Sequence, residues 1–133
     1  LIFTGRVNVV EYMEKLDFTI LTSISEGQPL SVLESLASRR PCVTTEVGCC
    51  RELLEGAPGD DFGVAGFVTP PMYRKGLADA MERMCTSRAR RIDMGERGQR
   101  RVATYFLHEQ MLANYRALYD ETARAFDLPR EGE

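Results

Sequence analysis

Tryptophan is absent from this 133-residue chain, histidine occurs once, and the net charge is only -3. A weakly acidic chain lacks the clustered basic surface that displaces counterions from a phosphate backbone, which excludes nucleic acid as a general electrostatic partner. No apolar run approaches the roughly 20 residues needed to span a bilayer. The opening Leu1-Ile2-Phe3-Thr4-Gly5 has neither the charged start nor the long apolar core of a signal peptide. A cytoplasmic protein is expected. The four cysteines, Cys42, Cys49, Cys50 and Cys85, form no C-x-x-C pair and have no histidine at zinc-finger spacing, so no metal site is expected. They read as small apolar core residues of a reducing compartment, and a bridge between the neighbours Cys49 and Cys50 would close a strained ring. The lone His108, in a helical pattern after Phe106-Leu107, reads as structural. Internal repeats and low-complexity segments are missing too, and the length leaves no room for two full domains.

What is present is an alternation of short β-rich runs with helical periodicity. Residues 1–4 read as a strand, and Val9, Val10, Met13 and Leu16 then recur at helical spacing. Residues 18–22 form a second β-rich run, followed by a small polar loop, 23–28. Pro29 suits the first turn of a helix whose buried stripe is Leu30, Leu33, Leu36 and Ala37. The alternation continues with a strand at 41–45, a short helix at 50–54, a Gly- and Asp-rich loop at 56–63 and a strand at 66–69. After Pro70-Pro71 the pattern is wholly helical, and three helices are expected to close the fold, with Tyr115 and Tyr119 in the core of the last. Parallel strands need crossovers, usually helical, so the expected class is α/β. The sheet is expected to be Rossmann-like, parallel and incomplete at about four strands, with helices on both faces and a helical C-terminal end. One domain, 1–126, and a frayed tail, 127–133, complete the plan. Because the chain opens within a strand, an earlier strand and helix are expected before Leu1.

The chemistry concentrates in segment 25–34. In a parallel α/β sheet ligands bind beyond the carboxyl ends of strands, where loops enter helix N-termini, and loop 23–28 lies at such an end. Gly27 allows close backbone approach, Pro29 fixes the first helical turn, and free amides around Leu30, Ser31 and Val32 suit a phosphate. Glu26 and Glu34 bracket this helix start. Each carboxylate is an acceptor able to grip a pair of sugar hydroxyls, with about 1.5–3 kcal/mol for a hydrogen bond to a charged group. Two such grips flanking an anion site fit a diphosphate between two sugars.

The residues then resemble a known family. Glu26 and Glu34 with Gly27, Pro29 and Leu30 look like the E-x7-E motif of retaining GT-B glycosyltransferases of family 4. The frame around them, 21–30, 46–54 and 65–71, continued through Met94-Gly95 and residues 115–119, is most similar to the PelF-type enzymes of Pel exopolysaccharide synthesis. The resemblance implies a UDP-sugar donor, UDP-glucose, with Glu26 as the catalytic-site carboxylate facing the hexose and Glu34 on the ribose diol. Gln28, Pro29, Leu30 and Ser31 would hold the hexose and diphosphate, and Arg6 and Val7 would meet the uracil. It further implies metal-free catalysis with no cofactor beyond the donor, and cationic residues and an acceptor domain N-terminal to Leu1, without which the chain should not catalyse. A membrane polysaccharide export complex is the implied partner, with attachment at the inner-membrane face.

Two departures stand out: Arg39-Arg40 where the family places glycine at a helix end, and Glu46 where aspartate is common. Simpler readings stand beside each residue. Glu34 is otherwise a solvated helix charge, Glu26 an idle charge at a helix start, and Arg6 a surface cation. The arginines from 88 to 101, interleaved with Asp93 and Glu96, read as a solvated face. Two rival functions remain at this point: a UDP-N-acetylglucosamine epimerase of the same fold, and a non-catalytic interaction module.

Overall fold

A computed structural model describes residues 2–126; the expected tail, 127–133, lies outside them. The elements run α1 (Val9–Met13), β1 (Thr19–Leu21), α2 (Leu30–Ala37), β2 (Cys42–Thr45), α3 (Cys50–Glu55), β3 (Gly66–Thr69), α4 (Arg74–Cys85), α5 (Arg88–Tyr105) and α6 (His108–Ala125). The strands form one parallel sheet in the order β1-β2-β3, with Thr19 opposite Cys42 and Cys42 opposite Gly66. The α/β class is therefore as expected. Among the described residues the sheet has three strands, not four. Ile2 and Phe3 are 87% and 88% exposed and belong to no strand. A β-rich composition makes a strand only where a neighbouring edge satisfies its backbone groups, and among the described residues Ile2 and Phe3 pair with no strand.

Helices cover both faces, and the strand residues alternate accordingly. On one side Cys42 and the half-buried Val68 meet Val32, Leu36, Leu53, Leu54 and Ala65. On the other, Val43 and Phe67 meet Ala80, Met84 and Met94. The buried stripe of α2 is Val32, Ser35 and Leu36, whereas Leu30 and Ala37 are exposed. Ser35 is tolerated inside because its hydroxyl donates to the Arg40 carbonyl at 2.9 Å and pairs with the Thr19 hydroxyl at 2.7 Å. Two of the four cysteines depart from the core expectation, since Cys85 is exposed and Cys49 half-buried.

The end of α2 resolves the Arg39-Arg40 departure. The Arg40 N–H donates to the Ser35 carbonyl at 2.8 Å and the Arg39 N–H to the Leu36 carbonyl at 2.9 Å, the bonds of a Schellman cap. Arg39 thus takes the glycine position, at φ 57°. Arg40 is recruited for tertiary contact, its guanidinium donating to the carbonyls of Met13 and Glu14 at the end of α1. Opposite the cap, α5 comes so close that a Cβ on Gly95 would lie 2.2 Å from the Arg39 carbonyl oxygen.

Two expectations for the helical end are corrected. Arg101 is not on a solvated face: it is 1% exposed and forms a paired fork with Asp60, at 2.5 and 3.0 Å. Its remaining donors reach the carbonyls of Leu53, Leu54 and Gly63. Tyr115 and Tyr119 are not core residues either, being 53% and 68% exposed and stacked on each other at 6.4 Å. The apolar stripe on α6 is real, but α6 has no buried residue among the described elements.

The Arg101 guanidinium beside Asp60 holds that carboxyl below its ordinary range. A carboxyl depressed by folding contributes stability above its unfolded pKa and loses it as pH falls through the folded value. Arg101→Met should cost about 3–5 kcal/mol in urea unfolding at neutral pH, because it strands a buried charge. The same variant should lose less further stability than the parent on acidification. Arg39→Gly should stabilise by about 1 kcal/mol, by removing a side chain from the left-handed region.

Candidate functional site

The site is built from two loops at the carboxyl edge of the sheet, 23–28 after β1 and 46–49 after β2. Three contacts clamp them together. The Thr45 hydroxyl donates to the Ser23 carbonyl at 2.5 Å, and the Cys49 N–H donates to the Gly27 carbonyl at 3.0 Å. Gly48, at φ 51°, presses on the loop so closely that a Cβ there would lie 2.1 Å from the Gly27 oxygen and 2.5 Å from that of Glu26. Only glycine meets both demands. At Gly27 an added Cβ would meet nothing within 4 Å, so that surface is open, and the close approach within the protein is made by Gly48.

Glu26 is half-buried, and its Oε1 accepts a hydrogen bond from the Ser23 hydroxyl at 2.6 Å. Helix α2 begins immediately after the loop. Pro29 is its N-cap rather than its first helical residue, and no side chain caps this end. The Val32 N–H donates to the Pro29 carbonyl at 3.1 Å. Val32 is therefore not one of the free amides; those of Leu30 and Ser31 have no acceptor among the described residues. Gln28, Leu30 and Ser31 are exposed, as is Glu34 one turn further along the helix. The structure thus joins Glu26, Gly27 and the start of α2. Arg6, exposed, and Val7, half-buried, are in the segment leading to α1. No hydrogen bond or ion pair among the described residues ties Arg6 to the loop.

The thiols mark the surroundings. Burial pushes Cys42 up to about 11. Cys50 is also raised, chiefly by burial, with the Glu26 carboxylate adding to it. Glu46 turns outward to Arg51 at 2.8 Å, whose guanidinium holds the exposed carboxyl below its ordinary value. Beside the loop, a groove of about 560 Å³ runs between the start of α2 and α6, lined by Gln28, Leu30, Leu33, Phe106, Met111 and Tyr115, among others. It reaches Gln28 and Leu30 of the candidate site but neither glutamate. Among the described residues no group of three His, Cys, Asp or Glu is placed to hold a metal ion, and no helix is long and apolar enough to cross a membrane.

The sequence profile of the glycosyl transferases group 1 family matches residues 1–87. The chain belongs to this family. Among curated proteins it is 27% identical over 124 residues to the N-acetyl-alpha-D-glucosaminyl L-malate synthase of Bacillus anthracis, covering 92% of this chain and 31% of that one. It is 26% identical over 125 residues to the lipopolysaccharide core biosynthesis mannosyltransferase LpsB of Rhizobium meliloti (strain 1021), covering 93% and 34%. The chain therefore spans about a third of the length of these relatives. Its fold matches the sucrose-phosphate synthase of Thermosynechococcus elongatus with a TM-score of 0.80 at 23% identity, over 93% of this chain and 30% of that one. In this group 1 glycosyltransferase chain, Gly48 and Ser23 are the residues in contact with the candidate loop that composition and spacing did not single out. The signal for Gly48 was its place in the short loop, Glu46-Val47-Gly48, that follows the β-rich run 41–45.

Gly48→Ala should destabilise by about 1–3 kcal/mol, the usual cost of overpacking a tight site. Gly27→Ala, facing open space, should change stability little. Thermal unfolding of the two variants side by side checks the contrast.

Proposed function

We propose that this chain is the donor-binding part of a retaining hexosyltransferase of the GT-B, family 4 type, and that its ligand is a UDP-sugar. The observation that carries the proposal is the clamped Glu26 carboxylate beside the uncapped start of α2. An acceptor for hydroxyls and free amides for an anion stand side by side on one loop edge. A helix start with unpaired N–H groups favours a diphosphate. In this reading Glu26 faces the transferred hexose, Gly27, Gln28, Pro29, Leu30 and Ser31 line the hexose and diphosphate, Glu34 binds the ribose diol, and Arg6 and Val7 approach the uracil.

The names of the two curated relatives, a glucosaminyl malate synthase and a mannosyltransferase, support sugar transfer as the shared activity. The narrower parts of the proposal are UDP-glucose as donor and a growing exopolysaccharide as acceptor, as in the PelF-type enzymes. Reaction without a metal, attachment at the cytoplasmic face of the membrane and contact with an export complex complete it. In such a reaction the leaving diphosphate gains charge as the glycosidic bond breaks, and preorganised N–H donors stabilise that charge. The amides of Leu30 and Ser31 are this chain's contribution; cationic side chains and the acceptor site would come from the segment N-terminal to Leu1.

Titrating UDP and UDP-glucose into the full-length protein and its Glu34→Ala variant tests the reading. Loss of the hydrogen bond that the ribose hydroxyl donates to a charged acceptor should weaken both ligands by about tenfold or more. Equal affinities in the two proteins would contradict it.

A further inference from the structure

We infer that Ser23 is a positioning residue that selects which face of the Glu26 carboxylate is presented to the donor sugar, an inference that rests on the donor-site reading above. A glutamate side chain on a loop has three torsions and no intrinsic reason to hold one orientation. Here both of its ends are fixed. The backbone of Glu26 and Gly27 is held by Gly48 and by the Cys49 N–H. The carboxylate tip is held by the Ser23 hydroxyl, which donates to Oε1 at 2.6 Å. That length falls in the range of charge-assisted O–H···O⁻ bonds, the stronger class. Ser23 is itself anchored, because the hydroxyl of buried Thr45 on β2 donates to its carbonyl at 2.5 Å. The chain of contacts runs from the sheet through Thr45 and Ser23 to Glu26.

The consequence is chemical. A carboxylate offers about four acceptor positions on its two oxygens. With Oε1 engaged by Ser23, Oε2 is the oxygen without a protein donor among the described residues. It remains to accept from a hexose hydroxyl. Ser23 does not contact the ligand in this arrangement; it acts through Glu26. Its loss should therefore touch only the part of the ligand that Glu26 touches.

The test compares UDP-glucose with UDP, which lacks the hexose, in the full-length protein. Ser23→Ala should weaken UDP-glucose about tenfold, as expected for loss of an orienting bond to a charged group, and leave UDP affinity unchanged. Ser23→Thr, which keeps the hydroxyl, should restore UDP-glucose affinity. Should Ser23→Ala fail to fold, Ser23→Cys, close in size but a weaker donor, carries the same comparison. Equal weakening of both ligands would show a merely structural role and overturn the inference. So would unchanged UDP-glucose affinity in Ser23→Ala alongside weakened affinity in Glu26→Ala, which would leave the donor-site reading standing. Unchanged affinity in Glu26→Ala itself would remove the reading and the inference together.

Discussion

All five N–H donors of Arg101 are matched: two by the carboxylate of Asp60 and three by the carbonyls of Leu53, Leu54 and Gly63. The carbonyls of Leu53 and Leu54 belong to the last turn of α3, where a helix leaves oxygens without intrahelical partners. One guanidinium therefore ends α3, orders loop 56–63 and fastens both to α5. The start of α3 is where Gly48 and Cys49 clamp the Glu26 loop. Placement of the site thus depends on a buried cation at the opposite end of a six-residue helix. A helix this short has little stability of its own, so tertiary contacts fix its position.

The carboxyl edge of the sheet then acts through close backbone approach more than through charge. Glu26 is held by a hydroxyl and by a loop with no room for a side chain at Gly48. Ion pairs elsewhere, such as Lys75 with Asp79 or Arg97 with Asp93, join exposed neighbours one helical turn apart and contribute little to fold or site. The left-handed Arg39 is a local cost that the Schellman bonds and the tight seating of Gly95 offset.

Much of this was legible in the residues themselves. The strand at Gly66–Thr69 and the loop before α2 follow from β-rich runs broken by small polar residues, because such signals are local. What escaped was non-local. Whether Leu1-Ile2-Phe3-Thr4 becomes a strand depends on a neighbouring edge, not on its composition. Arg101 looks like its solvated neighbours because its partners lie about 40 or more residues away in sequence. Tyr115 and Tyr119 recur at core spacing, yet periodicity says nothing of what covers a helix face. Gly48 is one glycine among 11, and only the facing carbonyls give it meaning.

The central claim is that loops 23–28 and 46–49, with the first turn of α2, form one donor-receiving edge. Hydrogen–deuterium exchange of the full-length protein with and without UDP-glucose measures this most directly. Added protection within residues 1–133 should concentrate at 23–34 and 46–50, with the amides of Leu30 and Ser31 slowed. Protection confined to the α6 groove, with those two loops unchanged, would contradict it.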